Sequence, residues 1–178
     1  EKMHYFDAPF FRMSAKEAKS IPQQLKILLE VVYELIENSG YTLTELGDKT
    51  IGLYLAMSTE DYNNEHLLNL PYSHLNTSEQ SMAMPTSICG QLAYYFNFQG
   101  PAITIETSGS SSLVAIHQAQ LAVDYGDCDL AIVCGVNLIP RPKQHLVSID
   151  ACAAIMLQHE ANTGAHQQNK AILIGSAI

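Results

Sequence analysis

The stretch GPAITIETSGSSSLVAIHQAQLAVDYGDCDLAIVCGVNLI, residues 100–139, decides the fold. Its first apolar run, AITIE at 102–106, is small and β-branched, which predicts a strand. A turn of small polar residues follows: Thr107, Ser108, Gly109, Ser110, Ser111 and Ser112. Residues 110–125 then have helical composition, and Gly126 stops them. DLAIVCG at 129–135 is a continuous apolar run with the length of a buried strand. Strand, tight turn, helix and strand make the repeating unit of a layered α/β sheet.

Upstream, Ser14 and Glu17 have capping-box spacing and start a short helix. Pro22 suits the first turn of a longer helix over 22–38. Leu25, Leu28, Leu29, Val32, Leu35 and Ile36 form its apolar stripe, and Gly40 ends it. TIGLYLA at 50–56 reads as a strand, and residues 57–80 as a long polar loop of the kind that carries function. A helix is expected at 87–96. DACAAIML at 150–157 and KAILIGSAI at 170–178 read as two more strands.

The 178 residues fit one domain, long enough to bury a core. Hydrophobic residues make up 47% and charged residues 15%, a globular balance. A net charge of −9 argues against nucleic acid or an anionic membrane as partner. No apolar run reaches membrane-spanning length, and the first residues lack the pattern of a signal peptide. Cys89, Cys128, Cys134 and Cys152 form no CxxC pair and no metal-spaced cluster. Free thiols, a cytoplasmic setting, and neither metal nor cofactor are therefore expected.

Residues 100–139 resemble the nucleophile region of the ketosynthase domains of polyketide synthases. There a GPS-x-T-x-DTACSSSLVA-x-H pattern is followed by a helix, a GECD-x-A strand and a GGVN turn. FDAPFFRMSAKEAKSIPQQLKILLEVVYELIENSGY at 6–41 resembles the family's FD-x-x-FF and DPQQR segments. STEDYNNEHL and TSICGQLAYYFNFQGP are most similar to the fungal highly reducing branch. The resemblance implies an α/β, thiolase-like layered fold, here a partial one: a single shortened ketosynthase-like domain over 1–178. It also implies a homodimer joined through the 102–106 strand.

The departures carry the functional expectation. Where the family has its nucleophilic cysteine, this chain has Gly109, and a glycine cannot hold an acyl chain as a thioester. The family's HGTGT-type and GH-type histidine motifs do not occur in these residues. PRPKQHLVSI at 140–149 replaces a longer, gating segment of the family. A Cys at position 109 alone is not expected to restore condensation.

The turn itself can persist, with the Gly109 backbone N–H still able to polarise a carbonyl. Ser108 or Ser110 can attack a carbonyl if a base is near; the plainer alternative is that the serines cap the helix and satisfy its backbone. Glu106 replaces the family's Asp, one methylene longer. His74 lies in the long loop with His66 and several carboxylates, the richest supply of acid and base groups, or simply a solvated acidic loop. His145 lies in the shortened segment, near where the family's pocket is gated. His117 reads as a structural helix histidine, and Tyr94 and Tyr95 as packing residues.

These features lead to a non-condensing protein of polyketide metabolism. It acts on a polyketide-type small molecule by cyclisation, isomerisation, elimination, or hydration and hydrolysis. The alternative is a catalytically inactive partner of a synthase or an acyl carrier protein.

Overall fold

The computed structural model describes residues 6–58, 85–138, 150–162 and 170–177. Helix α1 (Ala15–Ser20) begins at the expected capping box: Ser14 Oγ accepts from the Glu17 N–H, and the Glu17 carboxylate accepts from the Ser14 N–H. Helix α2 (Gln23–Ser39) starts after Pro22 and ends at Gly40. It buries Leu25, Leu28, Leu29, Val32 and Ile36, the periodic stripe apart from half-buried Leu35. A five-residue helix, α3 (Leu43–Gly47), follows; Thr42 and Glu45 cap it reciprocally.

Strand β1 (Ile51–Ala56) is buried at every position because both faces are covered. Helix α4 (Pro85–Tyr95), strand β2 (Ala102–Ile105), helix α5 (Ser111–Tyr125), strand β3 (Leu130–Asn137) and strand β4 (Ala151–Gln158) complete the regular core. The sheet order is β2-β1-β3-β4. The first three strands are parallel, and β4 runs antiparallel along β3.

Period-two alternation sends each strand's side chains into two layers. Leu53, Leu55, Ile132, Cys134 and Val136 pack against α2 and α4. Tyr54, Ala56, Ile105, Ala131 and Val133 pack against the Ala115–Ala119–Ala122 face of α5. The result is a helix–sheet–helix sandwich. Gly126 ends α5 with φ of 77°, a left-handed conformation that favours glycine. Gly100 lets the chain cross β1 closely: its N–H donates to the Ile51 carbonyl at 2.9 Å.

Two expectations fail. Residues 170–177 form no strand: they find no sheet partner, and Ile174 is 98% exposed. Their β-branched composition favours a strand, but a strand exists only where a neighbour accepts its hydrogen bonds. This segment is instead tethered to α5 through Ser176. Tyr94 is 89% exposed rather than packed. Its neighbour Tyr95 does pack, against Phe11 and Phe96.

Candidate functional site

The parallel strands β1, β2 and β3 end on one side of the sheet, and an open cleft of about 540 Å3 lies there. The carboxyl ends of parallel strands are where open α/β sheets place ligands. Met57 and Ser58 follow β1; Ser108, Gly109, Ser111 and Ser112 come from the turn into α5; Asn137 closes β3; Ala151 and Ala153 lie on β4. Small residues and hydroxyls thus surround an apolar floor that includes Val133, Val136 and Ile155. None of the described lining residues is ionisable at neutral pH.

The turn is held by its own hydroxyls. Ser111 Oγ accepts from the Thr107 N–H at 2.8 Å and donates to the Ser108 carbonyl at 2.8 Å. Ser110 Oγ donates to the Thr107 carbonyl at 2.8 Å and lies 2.9 Å from the Thr107 hydroxyl. Ser110 is therefore a bracing group of the turn, and its hydroxyl makes no cap bond to α5. Ser108 has φ of 57°, a left-handed conformation that a serine adopts only under constraint.

Gly109 differs from both neighbours. Its φ is not positive, and a Cβ added to it meets nothing within 4 Å. The backbone at this position has room for a Cβ, and Gly109 lines the cleft. No thiol replaces the missing one. Cys89, Cys128 and Cys134 are buried, Cys152 is half-buried, and none lines the cleft. Burial pushes the Cys89 and Cys152 thiols up to about 11, and that of Cys134 further.

Glu106 is the expected site residue that the fold brings to the cleft's edge with a partner there. Its Oε1 accepts from the Ser58 hydroxyl at 3.2 Å, and Ser58 lines the cleft. Sequence reading passed over Ser58; the signal that finds it is its place just past the end of a parallel strand. His117 lies away from this cleft. Its Nδ1 sits 2.7 Å from Ser176 Oγ, which donates to Gln120 Oε1 at 2.5 Å. The serine's hydrogen is thus directed to the amide, and the imidazole Nδ1–H becomes the donor, so this contact is a tether and not a nucleophile–base pair. His74 and His145 lie outside the described residues. Among the described residues no group of three metal-ligating side chains gathers, and no helix is long and apolar enough to cross a membrane.

A second cleft of about 740 Å3 opens between the end of α2, α5 and β4, with Asp124, His159, Glu160 and Lys170 among its walls. Part of its wall is the exposed segment 170–173, and it does not reach the turn at Gly109.

The comparisons with known proteins agree with this geometry. The family described as Beta-ketoacyl synthase, N-terminal domain, matches residues 1–169. The chain is 33% identical to the hybrid PKS-NRPS synthetase apdA of Emericella nidulans over 98% of its own length. It is 35% identical to cyclo-acetoacetyl-L-tryptophan synthase of Aspergillus oryzae over 82%. It spans 4% of the length of each of these two relatives. Among solved structures, it superposes on a cysteine-to-serine mutant of the ketosynthase from module 6 of the bacillaene synthase of Bacillus subtilis 168 with a TM-score of 0.74 and 28% identity. That match covers 90% of this chain and 28% of the other. The Streptomyces albus JA3453 oxazolomycin ketosynthase domain OzmH KS7 gives a TM-score of 0.64 and 32% identity, over 80% of this chain and 25% of that one.

Proposed function

The chain belongs to the β-ketoacyl synthase family and has its thiolase-like α/β fold, and from that premise we propose that it is a non-condensing, cytoplasmic ketosynthase-like protein of fungal polyketide metabolism. In this reading residues 1–178 work as one domain, shortened at 140–149. They bind a polyketide-type small molecule and act on it without a covalent intermediate, by cyclisation, isomerisation, elimination, or hydration and hydrolysis. The observation that supports this most directly is Gly109. It stands where the family holds a cysteine, faces open cleft space, and has no thiol beside it in the described lining. Of the remaining candidates, Ser108, Ser110 and the Gly109 backbone shape the turn, while Glu106 supplies charge at the edge. His74 and His145 stay candidates from sequence.

Mass spectrometry after incubation with an acyl N-acetylcysteamine thioester and malonyl thioester tests the reading. The expected result is no acyl adduct and no extended chain, together with binding of a neutral β-keto ester seen by NMR line broadening. A covalent acyl-protein or an extended product overturns it.

A second reading, an inactive partner of a synthase or acyl carrier protein, draws on exposed apolar side chains on and around β2, an end strand of the sheet among the described residues. Ile103 on β2 is 43% exposed, and Tyr94 and Leu113 are exposed too. The same edge, 102–106, suits a homodimer. Co-purification with a pathway synthase at fixed stoichiometry, with no change in any offered β-keto substrate, favours the partner reading over the enzyme.

A further inference from the structure

We propose that Ser58 and Glu106 form a proton-handling pair at the cleft, acting on a ligand with a C–H acidified by flanking carbonyls. The proposal rests on the reading above that the cleft takes a polyketide-type small molecule. The two residues meet because β1 and β2 are parallel neighbours in register, Ala56 beside Ile105. The Met57 N–H extends the ladder by donating to the Ile105 carbonyl at 3.3 Å. Ser58 and Glu106 thus leave the same end of the sheet side by side, and the Ser58 hydroxyl points at Glu106 Oε1 from 3.2 Å.

Ser58 is shared between that carboxylate and the cleft, whose described lining is otherwise neutral. A ligand C–H proton moves to Ser58 Oγ as the Ser58 hydrogen passes to the Glu106 carboxylate. The electron pair left behind becomes an enolate on the ligand's carbonyl oxygen. The start of α5, whose first residues line the cleft, favours that negative charge. The protonated Glu106 exchanges its proton with solvent, and a proton returns by the reverse route to that carbon or to a conjugated one. Atoms and charge balance with no oxidant, metal or co-substrate. Ser58 is the group that touches the ligand, and Glu106 acts through it as a positioning residue.

The probe is ethyl 2-methylacetoacetate in deuterated buffer, followed by proton NMR. The intact protein is expected to raise α-proton exchange at least tenfold over buffer. Glu106→Gln and Ser58→Ala should each remove most of that excess while line broadening still reports bound probe. Glu106→Asp, which keeps the carboxylate, should recover part of it; a merely structural role predicts no such ordering. If Glu106→Gln does not fold, Ser58→Ala alone carries the comparison. A bound probe that exchanges at the buffer rate, or equal exchange in the wild type and Ser58→Ala, overturns the pair and leaves the ligand reading standing. A probe that does not bind overturns both.

Discussion

Gly109 owes nothing to backbone strain. The strained position is its neighbour Ser108, at φ of 57°, and glycine at 109 leaves room rather than relieving a turn. Replacing it is therefore structurally cheap. Gly109→Cys should fold with unchanged stability or a gain of about 0.4–1 kcal/mol, because the unfolded chain loses freedom. Its thiol, open to the cleft at a helix start, should react with iodoacetamide at least ~10-fold faster than the natural Cys89 and Cys152, whose thiolates burial disfavours. Peptide mapping after brief alkylation reads this directly. Labelling no faster than that of Cys89 would mean the space above position 109 is closed. In the non-condensing reading the same variant should still not extend an acyl thioester, and an extended product would overturn that reading.

At the scale of elements, the strand–turn–helix segment depends on one close approach. A Cβ on Gly100 falls 2.6 Å from the Ile51 carbonyl carbon and oxygen, which are backbone atoms of β1 and cannot swing aside. Gly100→Ala should therefore cost roughly 1–3 kcal/mol, read as a lower urea midpoint at unchanged slope. A midpoint equal to wild type shows that β2 can shift without loss. The elements on either side were legible where pattern and burial agree. The α2 stripe, the wholly buried β1 and the α5 stop at Gly126 each follow from period or glycine chemistry. The capping box of Thr42 and Glu45 was equally present in the letters, and α3 could have been read from it. The 170–178 strand could not be judged, because composition reports what a strand prefers and not whether an edge is there to receive it. The Ser58–Glu106 contact was hidden for a similar reason: 48 residues separate the pair, and only the parallel register of β1 and β2 joins them.

For the whole molecule, the order β2-β1-β3-β4 puts β2 and β4 at the two ends of the sheet among the described residues, and they differ. Strand β4 is eight residues long and borders both clefts; β2 is four residues long and carries exposed Ala102 and half-exposed Ile103. A short edge discourages unspecific pairing, yet an edge strand can pair across a two-fold axis if apolar neighbours supply the burial. Leu113 at the start of α5 and Tyr94 on α4, 71% and 89% exposed, are large apolar side chains on the two helices that pack against β2. The proposed homodimer therefore predicts a particle of twice 19.6 kDa in sedimentation. Ile103→Lys puts a charge on the pairing strand and should shift that particle to the monomer mass. The monomer should keep its unfolding midpoint within about 0.5 kcal/mol of the isolated chain's stability, because the side chain already faces water. Wild-type protein that sediments at 19.6 kDa at every concentration removes the dimer. A dimer that survives Ile103→Lys has its interface away from β2, and β4 at the other end of the sheet is the next surface to test. Ligand access to the Gly109 cleft then becomes the discriminating measurement, since Ala151 and Ala153 of that strand line it.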